Sequence, residues 1–186
     1  MVSARSQEVE MRAIAVLCVS LTIATVALPS MSRATLARPF SLKELVLTAD
    51  AITEGVIVDQ ETLWEGDELY TISWLAADRH WLGDEPLIAI RQLGGVVDGL
   101  ERKVAGLGRL GLGDRLIAFT RTDGAFHYLV GLGQGAYHLE ALRLTRRDLP
   151  TLATLPGPVA PRAPDSLPRA RFELELSRLL SERSLR

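Results

Sequence analysis

Three histidines, three tryptophans, one cysteine and fifteen glycines are the residues of this chain whose types invite a chemical reading. His80, His127 and His138 show no metal-ligand spacing of the His-Glu-x-x-His kind. His127 and His138 fall on neighbouring predicted strands, which would bring them close in space. No carboxylate stands at a spacing that would complete a metal set with them, so a fortuitous pair is the default. Gly106-Leu-Gly108-Arg-Leu-Gly111 matches the dinucleotide fingerprint letter for letter. That fingerprint needs a strand before it and a helix opening on it. Here Gly113 to Thr120 read as a turn followed by a strand, so the glycines belong to a loop. Asp50 stands where a helix gives way to a strand, and a turn or capping role is the ordinary use of aspartate there. Ser41 lacks the Gly-x-Ser-x-Gly elbow of a hydrolase nucleophile and is better used as a helix cap. No catalytic residue, metal ligand or cofactor-binding residue emerges, and no cofactor is expected.

Tryptophan points to binding rather than catalysis. Trp74 alternates with core positions of a predicted strand and is expected inside. Trp64 and Trp81 fall at loop ends, where an exposed indole stacks on a sugar or seats a partner's side chain. Partial burial at the ends of the domain is the plainer account of the same residues. Trp64 and Trp81 are the candidate partner-binding residues.

The elements that must position these side chains begin with Ser41-Leu-Lys-Glu44, a capping-box pattern. Leu42, Leu45 and Val46 supply the stripe of a short helix ending near Thr48. Ala51 to Asp59 is β-branched and strand-like, and Gly55 in its middle predicts a bulge or bend. Glu65-Gly66-Asp67 reads as a turn. The next segment alternates, with Tyr70, Ile72, Trp74 and Ala76 on the predicted inner face. Leu87 to Leu93 is a strand stopped by Gly94-Gly95, and residues 94–114 read as a long glycine-rich loop. Leu116 to Thr120 is strand-like, and Asp123-Gly124 predicts a hairpin to Phe126–Val130. A last strand is expected from Ala136 to about Arg143. Five or six short strands without crossover helices predict a small antiparallel barrel or sandwich. Pro150 to Pro168 holds six prolines and reads as an extended linker. Beyond it Phe172, Leu176, Leu179 and Leu180 form the apolar stripe of a C-terminal helix over residues 169–186, expected to be loosely tethered.

At the other end, residues 13–28 form an uncharged apolar run preceded by Arg12 and followed by Pro29. Ser32-Arg33-Ala34 offers small residues at −3 and −1, which completes the pattern of a secretory signal peptide over 1–34. Met11 is an alternative start that leaves a Met-Arg opening. The run is short for a membrane span, so a membrane role would arise only through an uncleaved N-terminal segment. Cys18, the only cysteine, lies within the run. Cleavage would leave a chain without disulfides or thiolate chemistry. The net charge of −2 provides no concentrated positive surface for nucleic acid.

Several landmarks resemble a group of secreted bacterial proteins that are distant relatives of the netrin-like domain of tissue inhibitors of metalloproteinases. They are Ala49-Asp-Ala-Ile52 with Gly55 and Val56, Tyr70-Thr71, Gly94-Gly95 and Asp98-Gly99. Val104-Ala-Gly106, Gly113-Asp114 with Phe119, and Gly131-Leu-Gly-Gln-Gly135 continue the series. The resemblance implies an OB-like, five-stranded Greek-key barrel within residues 35–149. In the animal inhibitors an N-terminal cysteine engages the protease zinc, and the region after Ala34 has no cysteine, so that mechanism does not carry over. The expectation is an exported, secreted or periplasmic binding module whose partner is another exported protein or a glycan. A hydrolase of envelope or extracellular polymers, its site assembled from scattered residues, is the alternative. The expected binding end comprises Leu63–Glu68, Arg79–Pro86 and Gly94–Gly113.

Overall fold

A computed structural model describes residues 38–104, 106–147 and 163–185. The expected leader, its cleavage site, Cys18 and most of the proline-rich stretch lie outside the described residues. Helix α1 (Leu42–Thr48) opens as its sequence spells. The Glu44 N–H donates to Ser41 Oγ at 3.2 Å and the Ser41 N–H donates to the Glu44 carboxylate at 2.9 Å. That peptide N–H, with the Ser41 hydroxyl and the Arg38 guanidinium beside it, holds the Glu44 carboxyl below the ordinary glutamate range.

The protein is mainly β. Strands β1 (Ala51–Glu65) and β2 (Glu68–Leu82) form one long hairpin turned at Gly66. β3 (Leu87–Leu93) follows β2, and a separate small hairpin, β4 (Gly95–Val97) with β5 (Leu100–Arg102), comes next. β6 (Arg115–Asp123) and β7 (Phe126–Leu129) pair across the predicted Asp123-Gly124 turn. β1 pairs with β2 along its length and with β6 through Ala51–Val56. β2 pairs with β3, β3 lies parallel to β7 at Ile90 and His127, and β7 returns to β6. These contacts close a ring of five strands. β8 (Ala136–Glu140), β9 (Arg143–Thr145) and β10 (Ser166–Pro168) continue the sheet from the far edge of β6.

Gly55 is the point on which β1 turns between its two partners. Pairing with β2 shifts register between Glu54 and Gly55, as the mid-strand glycine predicts. A Cβ there would lie 2.1 Å from the Ala76 carbonyl oxygen. β6 is buried and apolar on both faces from Leu116 to Phe119. Its alternation splits the core in two. Leu116 and Ala118 point into the ring with Ile57, Leu75, Ile88, Ile90 and Leu110. Ile117 and Phe119 point outward to α1, Tyr137 and the second helix, α2 (Arg169–Ser184).

Five expectations need correction. The C-terminal helix is not loosely tethered. Phe172, Leu176 and Leu179 are buried in the outer core, and the Phe172 ring lies 5.0 Å from that of Tyr137. The proline-rich stretch does not stay extended linker to Pro168, because Leu167 is buried and Ser166–Pro168 pair with β9. Residues 95–102 form a hairpin, since Asp98 and Gly99 both adopt positive φ, as a two-residue turn requires. The last strand breaks at Ala141 (φ 52) into β8 and β9. In β2 the inner face belongs to Leu69, Ser73 and Leu75, all fully buried, while Trp74 is half-buried on the other side. Ile72 is buried too, so alternation alone did not distinguish the faces. Among the described residues no helix is long and apolar enough to cross a membrane.

Candidate functional site

β1 and β2 outrun the ring. β6 leaves β1 after Val56, and the β1–β2 hairpin continues as an arm toward Gly66. On its inward face the side chains turn polar: Gln60 and Thr62 on β1, Thr71 and Ser73 on β2, Gln92 on β3. With Gly94–Val96, Glu101–Val104 and Gly106–Leu110, the side chains of Gln60, Thr62, Thr71 and Gln92 line an open cavity of about 790 Å³. Hydrogen bonds from these side chains hold the walls. The Gln60 amide donates to Ser73 Oγ at 2.8 Å and to the Leu110 carbonyl at 2.9 Å. The Gln92 amide donates to the Gly108 carbonyl at 3.0 Å, and the Thr71 hydroxyl donates to that of Gly94 at 2.8 Å.

Glycine lets the wall close. A Cβ at Gly95 would sit 2.2 Å from Thr71 Oγ1, and one at Gly133 would sit 2.3 Å from the Gly108 nitrogen. The Gly133 N–H also donates to the Gly106 carbonyl at 2.7 Å. The fingerprint-like glycines therefore pack backbone on backbone against the 3-10 turn Leu132–Gly135, and no helix opens on them. Charge at the cavity is paired at several points. Glu101 meets Lys103 at 3.3 Å, and Arg102 meets Glu68 at 2.7 Å. Arg109 is exposed on the same lining.

The two candidate tryptophans are not brought together. Trp64 pairs opposite Leu69 near the tip of the arm, on the same strand face as Gln60 and Thr62, and is 48% exposed. Trp81 lies roughly a dozen residues further along β2, about 40 Å of strand away. It is packed against the outer core, with the Arg79 guanidinium 3.6 Å over its ring. Arg79 also reaches Glu173 of α2 at 3.5 Å. Of the three breaks expected to form one end, Leu63–Glu68 and Gly94–Gly113 meet through Arg102, which pairs with Glu68 and donates to the Asp67 carbonyl. Arg79–Pro86 lies at the opposite end of the hairpin.

The other singled-out residues have structural partners. Asp50 accepts from the Thr122 N–H at 3.0 Å and Ser41 caps α1. His127 and His138 are both buried but flank β6, one opposite Thr122 and the other opposite Leu116. His127 Nε2 lies 3.1 Å from Glu85, and His138 Nδ1 lies 3.5 Å from Asp114. They share no site. Among the described residues no three His, Cys, Asp or Glu side chains converge.

No protein-family model, curated protein or solved structure matches this chain. The site must therefore be read from its own chemistry.

Two features escaped sequence reasoning. The buried Glu54, on the outward face of β1 at the Gly55 bulge, is held by Arg169 at 2.9 Å and by Arg115 at 3.8 Å. Bonds to Glu173 and Glu54 raise the Arg169 guanidinium above its ordinary range, which ties α2 to the ring. The polar inward residues Gln60, Thr62, Thr71 and Gln92 were equally missed. Their signal was present as polar residues in step with apolar inward positions of the same strands. Amides, hydroxyls and backbone carbonyls beside an exposed indole can hydrogen-bond and stack with a polar ligand.

Proposed function

We propose that this chain is an exported, non-catalytic binding module on an OB-like Greek-key barrel. In this reading it holds a partner at the mouth bordered by Trp64. The OB-like reading is supported by the ring itself: its first strand pairs with the second and fourth, and its third lies parallel to the fifth. The observation that carries the functional reading is the placement of Trp64. An indole nearly half exposed stands on the same strand face as the polar lining of a large open cavity. Tryptophan in such a setting supplies much of a binding energy, and the amides and hydroxyls behind it fix orientation. Trp81, of the two tryptophans, serves the packing of β2 against α2 in this reading.

Partner candidates are a glycan or a segment of another exported protein. Trp64→Ala should reduce capture of ligand from secreted material at least tenfold while leaving the thermal midpoint nearly unchanged. Unaltered capture would remove the mouth as the binding seat. Export itself predicts cleavage after Ala34, checked by the mass of the exported protein. A mass that retains Cys18 would refute it.

A further inference from the structure

We propose that the free edge of β1 from Val58 to Glu65 accepts an extended peptide of a partner protein, one that alternates cationic with uncharged side chains. The proposal rests on the binding-module reading and names the class of partner. Past the end of its pairing with β6, β1 has β2 on one edge and, among the described residues, no strand on the other. An open edge presents unpaired N–H and C=O groups to an incoming extended chain. This one is accessible: Val58 is 52% exposed, and Asp59, Glu61, Trp64 and Glu65 are exposed. The loop before β6 touches the stretch through the Gln60 amide on the Leu110 carbonyl.

Alternation along the strand selects the chemistry of the occupant. Asp59, Glu61 and Glu65 lie on one face, and Gln60, Thr62 and Trp64 on the other. Arg91 neutralises Glu65. Among the described residues Asp59 and Glu61 have no ion pair. A strand laid beside β1 sets its own side chains next to these two rows. Lysine or arginine in the outer row meets Asp59 and Glu61. Uncharged side chains in the inner row meet Gln60, Thr62 and Trp64, because Arg109 on the cavity lining, which among the described residues lacks an ion pair such as Lys103 makes with Glu101, repels a further cation there. A second copy of this chain is a poor occupant, since antiparallel pairing of β1 with itself opposes carboxylate to carboxylate. A neutral glycan could donate hydroxyl hydrogen bonds to these carboxylates but would leave their charge uncompensated.

The test titrates the full chain with labelled, end-blocked heptapeptides and reads fluorescence anisotropy. One alternates lysine with threonine and valine, a second carries glutamate for lysine, and a third is the lysine peptide N-methylated at alternate residues along the pairing edge. The lysine peptide should bind, with the glutamate and N-methylated peptides at least tenfold weaker. The double variant Asp59→Lys, Glu61→Lys should reverse the preference, with circular dichroism confirming that it remains folded. Equal binding of the N-methylated peptide would reduce the contact to charge adhesion and overturn strand addition. An unchanged lysine preference in the folded double variant would place the contact elsewhere. Failure of every peptide, while a Trp64-dependent ligand still binds, would overturn this proposal and leave the binding-module reading standing. Loss of the Trp64 dependence as well would remove both.

Discussion

At Gly55 a single missing Cβ permits β1 to shift register against β2 while still pairing with β6. Gly55→Ala would place a methyl carbon 2.1 Å from the Ala76 carbonyl oxygen, a clash with backbone that rotamer changes cannot relieve. The expected loss is on the order of 3 kcal/mol, the upper end for overpacking, read as a fall in the urea midpoint. An unchanged midpoint would mean that the bulge tolerates a side chain. Tryptophan supplies a contrast at the same scale. Trp81→Ala should cost about 2 kcal/mol, less than for a fully buried tryptophan because the indole is only half-buried. Trp64→Ala should stay within about 0.5 kcal/mol of the parent, as exposed substitutions do. Equal midpoints for the two variants would contradict the placement of one of them.

Among the elements, α1 depends on its cap and α2 on its apolar stripe. Glu44→Gln weakens the reciprocal cap and should cost about 1 kcal/mol at neutral pH. The folded carboxyl titrates below its ordinary value, so its contribution is fully present above the unfolded value. It is lost as pH falls through the folded one. The difference between parent and variant should therefore shrink in acid, as measured by denaturation at pH 7 and pH 3. A gap that widens in acid would reverse the assigned sign. Phe172→Ala in α2 removes a fully buried ring packed edge-on against Phe119 and tilted against Tyr137. The expected loss is about 3–5 kcal/mol. A loosely tethered helix would give almost none, and that result would refute its docking.

For the molecule as a whole, the ring and α2 are joined by charge as well as by the outer core. Arg169 and Arg115 both reach the buried Glu54, while Arg169 also holds Glu173. Arg169→Met should cost about 2 kcal/mol, below the figure for a fully buried pair because Arg169 is partly exposed and Arg115 remains. Adding Glu54→Gln should recover part of that loss, since the variant no longer buries an uncompensated carboxylate. Denaturation of the single and double variants measures the coupling directly. Strictly additive losses would show that the two side chains act independently.

Local rules sufficed for some features because the cause lies within a few residues. The capping box at Ser41 and Glu44, the bulge at Gly55, the turns at Gly66 and Gly124, and the stripe of α2 follow from short-range sterics and periodicity. So does the β-rich character of the chain. Tertiary structure alone decided the rest. Both Trp74 and Leu75 could face inward by composition, and only the ring's closure through β3 and β7 selected Leu75. The proline-rich stretch gave no local sign that Leu167 would be buried beside β9. The candidate site depended most on the fold. Gln60, Thr62, Thr71 and Gln92 are unremarkable in sequence and meet only because the β1–β2 hairpin outruns the ring with β3 beside it. Trp64 and Trp81 looked equivalent as loop-end tryptophans. The register of one hairpin set them at opposite ends, one exposed near the tip of the arm and the other against the core, because strand pairing fixes distances that composition does not encode.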